Sequence, residues 1–403
     1  MHIKAVLSNA AHPEYGQLSV PLPIPTGQYD EIMCMLEQLE IGDVLARDCR
    51  ADELHGDVPI LKRLEKAAVN IDELDYLAKR LDSFIDSELA QFQAAAVDYD
   101  VYDVPGLINL TFCCQQVTVI TDFSDLEQIG KDHVLTVNGA MSMDEFDRID
   151  FRKEALKLIL NEQGRVTPYG VVYDNGMRMS DLYDGRYFPE YNYRADILTL
   201  AVSSKQQPED TQEIIYLYLP ATDIQIERAL SRGGIDELED AHLRYIESDF
   251  PKEVDAFLDR GSVRVTALND LALAYSGLDS HQRKMIVPMM ELAQPQSVTE
   301  LSNLLCNAAL FDHIPSIKTA EDYGKYMIRQ SGRFDYDPEL DECYDYKKYG
   351  EHRLAQELGA FTASGYICYQ GFVSIEEMLA GVDSGRFEAD GPAMGGMEMG
   401  GLS

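Results

Sequence analysis

Runs of strand-favouring residues at Ile3–Ser8 and Gln17–Ile24 predict two strands joined by a polar loop. The second run ends in proline, and Thr26 then opens a helix. Further along, Leu74, Leu77, Leu81 and Phe84 recur at helical spacing, which predicts an amphipathic helix within an all-helical piece spanning about residues 60–115. On that helix Asp72, Glu73, Asp75, Asp82 and Asp86 are left for water or for a partner. A later helix begins after Asp150, with Gly164 at its C′ position. Short polar turns then lead into the β-branched and aromatic strand Val171–Tyr173. Strands first, helices next and a mixed piece last predict an α+β fold.

The same order returns in the second half of the chain. Ile197–Ser203, Ile214–Leu219 and Thr222 repeat the opening pattern. Leu74, Leu77 and Ala78 match Leu268, Leu271 and Ala272, while Leu107, Asn109, Leu110 and Gly130 match Leu301, Asn303, Leu304 and Gly324, at an offset of 194. Asp147–Gly176 aligns without a gap on Glu342–Gly371 at an offset of 195, pairing Asp150 with Asp345, Phe151 with Tyr346, Gly164 with Gly359 and Gly170 with Gly365. Three matches in one order predict a duplication, with one unit at residues 1–176, a linker at 177–195, a second unit at 196–371 and a C-terminal segment at 372–403. The linker's Tyr183, Tyr187, Tyr191 and Tyr193 predict that it docks rather than floats. The Gly/Met-rich tail after about Phe387 has no periodic apolar face and is expected to be disordered. The whole is expected to be elongated.

Charge changes the picture next. The chain carries 70 acidic residues against 34 basic ones, a formal net charge of −36. Binding duplex DNA or an anionic membrane needs clustered Lys and Arg, so both are disfavoured. A surplus of this kind serves solubility, or a salt-tolerant cytoplasm, in the plainest reading. Here the acids are spread over both halves. One charge per about 1.7 Å of B-DNA axis makes this surplus equivalent to roughly 60 Å of duplex, the scale of a protein–DNA footprint. No run of 18 apolar residues predicts a membrane span, and the N-terminus lacks a signal-peptide core. Seven cysteines, odd in number and without a C-x-x-C pair, favour reduced thiols and a cytoplasmic location. Asn109-Leu110-Thr111 matches a glycosylation sequon, but in such a compartment Asn109 is expected to cap or crosslink a helix turn.

Catalytic signatures are missing: there is no G-x-S-x-G, P-loop, G-x-G-x-x-G or H-E-x-x-H. The eight histidines are scattered without metal-ligand spacing. Cys113-Cys114 reads as a buried apolar turn between Phe112 and Val117. Asp335-x-Asp337-x-Glu339-x-Asp341 lacks the glycine and glutamate that a calcium loop needs at its sixth and twelfth positions, where Leu340 and Tyr346 stand. Neither an enzyme nor a cofactor or metal is expected.

The stretches LDYLAKRLDSF, VPGLINLT and LEQIGKD, their counterparts LNDLALAYSGL, VTELSNLL and AEDYGKY, the opening EIIYLYLPATDIQIERALSRGGID and the ending YDYKKYGEHRLAQELGAFTASGYICYQG together resemble the ArdA antirestriction family. The resemblance covers about residues 1–176 and 195–371. It implies three small domains per unit, an acidic surface that mimics bent B-DNA, self-association, and stoichiometric blocking of type I restriction–modification enzymes in defence of mobile DNA. Two features depart from the family: two units stand where one is usual, and the first is the more diverged, at Leu22–Ile41 and Asn138–Asp147. On this reading the exposed acids that stand in for phosphates are Asp72, Asp75, Asp82, Asp86, Asp98, Asp100, Asp125, Glu127, Glu237, Glu239, Asp240, Glu321, Asp322, Asp335 and Asp337. The expected partner is the basic DNA-binding groove of such an enzyme. The alternative is an acidic scaffold or adaptor for another basic DNA-binding protein. Like-charge repulsion favours a monomer, with a homodimer possible through Tyr366–Phe372.

Overall fold

A computed structural model describes residues 2–139, 141–161, 163–193, 196–207, 213–258, 264–333, 335–383 and 385, without the side chains of Asn161 and Glu239. The fold is α+β, with small sheets alternating with helical layers. The chain divides into two compact units, residues 1–246 and 247–403.

The first unit opens with β1 (Ile3–Asn9), β2 (Gln17–Leu22), α1 (Tyr29–Gln38), β3 (Cys49–Gly56) and the short β4 (Ala68–Val69). The strands form one sheet in the order β2-β1-β3-β4, with β1 antiparallel to both neighbours. Thr26 starts a single 3-10 turn, and α1 follows only at Tyr29. The helical piece is α2 (Ile71–Asp82), α3 (Asp86–Asp98) and α4 (Val104–Cys113). Asn70 and Asp103 start α2 and α4 by accepting from backbone N–H groups of the first turn. The mixed piece is β5 (Val117–Ile120), α5 (Leu126–Asn138), α6 (Met143–Phe146), α7 (Phe151–Asn161), β6 (Arg165–Thr167) and β7 (Gly170–Asp174), its sheet ordered β5-β7-β6.

The element order then restarts. β8 (Leu198–Ser204), β9 (Ile215–Leu219), α8 (Asp223–Arg232) and β10 (Ala241–Ser248) follow, and the three strands form a sheet ordered β10-β8-β9, so the first strand again lies inside the sheet. Thr222 caps α8 in a capping box with Gln225. In the second unit α9 (Lys252–Leu258), α10 (Val265–Ser276), α11 (Ser280–Ala293) and α12 (Val298–Cys306) precede β11 (Phe311–Ile314), α13 (Ala320–Arg329), α14 (Tyr346–Leu354), β12 (Leu358–Thr362), β13 (Gly365–Tyr369) and α15 (Ile375–Leu379). That sheet is ordered β11-β13-β12, the same topology as β5-β7-β6. The compact units therefore cut the chain at a different place from the sequence repeat: the opening sheet of the second repeat belongs to the first unit.

The glycine expectation is corrected in both repeats. Gly164 stands three residues beyond the end of α7, directly before β6 and without the left-handed backbone of a C′ glycine, while Gly359 lies inside β12 and α14 is closed by Ala355 in ordinary right-handed geometry. Close approach explains the glycine. A Cβ on Gly359 would sit 2.3 Å from the Tyr366 hydroxyl oxygen, and one on Gly164 2.7 Å from the Tyr173 ring.

Residues 177–193 do more than connect. Asn109 on α4 accepts from the backbone N–H groups of Leu182 (2.9 Å) and Tyr183 (2.8 Å) and donates to the Tyr183 carbonyl (2.9 Å). Its partner in the repeat, Asn303 on α12, donates to the Leu379 carbonyl (2.8 Å). The neighbouring side chains, Tyr183 and Met378, are both buried. Each half thus ends in a segment tied down by the same asparagine. Asn109 acts as the crosslink expected of it, and the tyrosine-rich stretch docks as its composition predicts.

Candidate functional site

The acids fall into two groups once their surroundings are considered. Asp72, Asp75 and Asp98 are not exposed, which corrects the expectation that they face a partner. Asp72 receives the Arg228 guanidinium in a bidentate pair, Nε at 3.1 Å and Nη2 at 2.9 Å, with Arg232 Nη2 at 3.3 Å. Asp75 accepts the Ile24 backbone N–H (2.6 Å) and pairs with Lys79 one turn on (2.9 Å). Asp98 pairs with Arg165 of β6 and keeps only 5% of its side chain exposed. The physical reason is common to the three: a buried carboxylate persists where it is paired and hydrogen-bonded.

The second group keeps its charge at the surface. Asp86, Asp100, Asp125, Glu127, Glu237, Glu321, Asp335 and Asp337 are exposed, and Asp82, Asp240 and Asp322 are half-buried. Several also hold local structure. Asp125 caps α5 through the N–H groups of Glu127 and Gln128 (both 3.0 Å), and Asp337 accepts the Glu339 N–H (2.9 Å). Asp100 accepts the Tyr102 hydroxyl (2.7 Å), Asp322 that of Thr319 (2.7 Å) and Asp82 that of Tyr193 (2.7 Å). Glu127 and Glu321 pair with Lys131 (3.1 Å) and Lys325 (2.6 Å) along their helices. Such exposed pairs stabilise little but neutralise part of the local field. The Glu239 side chain lies outside the described residues.

The polar face of α2 is where sequence reasoning missed most. Glu73 is buried; the Tyr183 hydroxyl donates to its Oε1 (2.9 Å), Arg47 stands 3.7 Å away, and burial raises its carboxyl above the usual range. Tyr76 stacks on Phe188 (centroids 4.5 Å apart) and donates to the Pro189 carbonyl (2.8 Å). The Tyr191 hydroxyl donates to the Lys79 carbonyl (3.1 Å). From α8, Arg228 reaches the Gly42 carbonyl (2.8 Å), and Arg232 reaches Asn70 Oδ1 (3.0 Å) while lying over the Phe188 ring. The signal in the sequence was a basic pair four residues apart, Arg228 and Arg232, on a helix of a strongly acidic chain.

Beside this cluster lies a cavity of about 230 Å³ whose wall includes Tyr76, Tyr191, Tyr193, Asp196, Tyr218 and Arg228. Burial pushes the Asp196 carboxyl up to about 6, against the smaller opposing effects of the Tyr193 backbone N–H (3.0 Å) and the Lys79 charge. The native chain therefore holds this proton in a range where the unfolded chain, at 3.8, has already lost it. That contribution to stability is present below about pH 4 and lost as pH climbs through 6. Asp196→Asn should melt close to the wild type at pH 4 and above it at pH 7; thermal melts across that range check this, and a constant difference contradicts it.

The chemistry elsewhere is quiet. Cys113 and Cys114 are buried at the end of α4, and burial raises both thiols, that of Cys114 to about 12. That opposes the thiolate that reactive cysteines need. Asp341, the last acid of the calcium-like run, is held down to about 2 by hydrogen bonds from Tyr346, Tyr336 and Arg329. Among the described residues no group of three His, Cys, Asp or Glu side chains could hold a metal, and no helix is long and apolar enough to cross a membrane. No protein-family model matches the chain, and no curated protein matches it.

Proposed function

We propose that this protein is an acidic DNA mimic that occupies the DNA-binding groove of a type I restriction–modification enzyme and blocks it by occupancy, without chemistry. The observation that carries the reading is the surplus of 36 negative charges, with exposed acids on both repeats: Asp86, Asp100, Asp125 and Glu127 on the first, Glu237, Glu321, Asp335 and Asp337 on the second. The resemblance of both repeats to the ArdA family supports it. A groove built to neutralise phosphates attracts carboxylates through the same summed field.

The test is a gel shift in which the protein competes with DNA for such an enzyme. Displacement is expected at low salt, weakening steeply as salt rises, because exposed charges are screened over about 8 Å at physiological ionic strength. One neutralised acid should change little. Neutralising Asp86, Asp100, Asp125 and Glu127 one after another, as Asp→Asn and Glu→Gln so that the Asp125 cap on α5 is kept, should weaken competition progressively while leaving the melting temperature in place. No displacement at low salt overturns the reading. Recovery of a different basic DNA-binding protein from host extract would then favour an adaptor role.

A further inference from the structure

We propose that the tyrosine-lined cavity of the first unit binds a small primary amine carried on a flat aromatic body. The inference is independent of DNA mimicry, since none of the exposed acids contributes to the wall. The cavity measures about 230 Å³. An apolar cavity of about 150 Å³ accepts a benzene ring, so the space suits one ring with a short charged arm. Tyr76, Tyr191, Tyr193 and Tyr218 lie in the wall; the Tyr191 ring already carries the Arg80 guanidinium 4.4 Å from its centroid and Tyr76 is stacked on Phe188, so the wall is aromatic and of a kind that attracts cations.

The charges on the wall point to the ligand's polar end. Arg228 is matched by Asp72 and the Gly42 carbonyl. Arg232 spends its donors on Asn70, Asp72 and backbone carbonyls, and Lys79 is paired with Asp75. Asp196 differs. Among the described residues it has no cation within ion-pair distance and accepts one backbone N–H, that of Tyr193. A carboxylate has about four acceptor positions, so most of its capacity is free to meet the three N–H donors of an ammonium group.

The chain contains no tryptophan, so its emission comes from its 23 tyrosines, six of which line the cavity. Full-length protein is titrated at pH 7.5 with 2-phenylethylamine and, separately, with its neutral counterpart 2-phenylethanol, by emission and by calorimetry. Saturable binding of one amine per chain is expected, with the alcohol weaker by about tenfold or more, as loss of a charge-assisted hydrogen bond implies. Asp196→Asn should weaken the amine to the level of the alcohol. Ala229→Met, which fills the cavity from α8, should abolish binding of both. Lack of saturable binding by the wild type, equal affinity for amine and alcohol, or unchanged binding in Ala229→Met overturns the proposal. The last two comparisons stand even if Asp196→Asn fails to fold.

Discussion

Asp72→Ala is expected to lower the stability of the first unit by about 3–5 kcal/mol, the cost of stranding a buried charge whose partner is removed. The Asp72 side chain is 13% exposed, that of Arg228 15% and that of Arg232 4%. Removing the carboxylate leaves two guanidinium groups facing each other with no anion between them. The loss should appear as a lower denaturation midpoint in urea. Replacing Arg228 together with Asp72 should recover part of it, because the uncompensated charge then falls from two to one. The contrast lies with the exposed Asp86, where the same truncation should change stability by about 0.5 kcal/mol or less. If Asp72→Ala melts like the wild type but competes poorly with DNA, this carboxylate faces a partner and its place in the internal ion pair is wrong.

Much of the architecture was legible because it is written in local patterns. Strand runs, helical spacing and the aligned glycines mark the α+β order and its return in the second half. Asn109 was readable as a crosslink because the reduced-thiol reading of the cysteines set aside glycosylation of its sequon and left a structural use for the amide. The burial of Asp72, Glu73 and Asp75 was not legible. A period of 3.6 residues shows which face of α2 is apolar, but it does not show that the opposite face will also be covered. That cover comes from Tyr183, Phe188 and Arg228, more than 100 residues away in sequence. Arg165 hides Asp98 in the same way, 67 residues on. Sequence reasoning therefore named the right residue types for an acidic surface but over-counted those that reach water.

The same cover explains an asymmetry between the repeats. At the positions on α10 that match Asp72, Glu73 and Asp75 stand Thr266, Ala267 and Asn269, and Thr266 is exposed. Helix α1 (YDEIMCMLEQ) carries no arginine, whereas α8 carries Arg228 and Arg232. The acidic platform belongs only to the first repeat, and the two arginines that fit it only to the second. Interactions of that polarity would propagate head to tail if every repeat carried both halves. Here they are used once.

Gly130→Ala and Gly324→Ala should each be strongly destabilising, and by similar amounts. A Cβ on Gly130 would lie 1.8 Å from the Phe151 carbonyl oxygen, and one on Gly324 1.9 Å from that of Tyr346. Both obstacles are backbone atoms of the facing helix, so no rotamer change relieves them. In each repeat the paired helices, α5 with α7 and α13 with α14, must move apart. Overpacking of this kind costs about 1–3 kcal/mol and sometimes more; a clash against backbone belongs at the upper end. Alanine's better helix propensity returns up to about 1 kcal/mol, leaving a net loss of about 2 kcal/mol or more. Gly277→Ala is the control: its Cβ meets nothing closer than 3.6 Å, its backbone is right-handed, and it should be neutral or slightly stabilising. Chemical denaturation of the three variants decides. If Gly130 tolerates alanine while Gly324 does not, the two helix pairs are not equivalent, and the case for one ancestral unit copied twice loses its closest structural match.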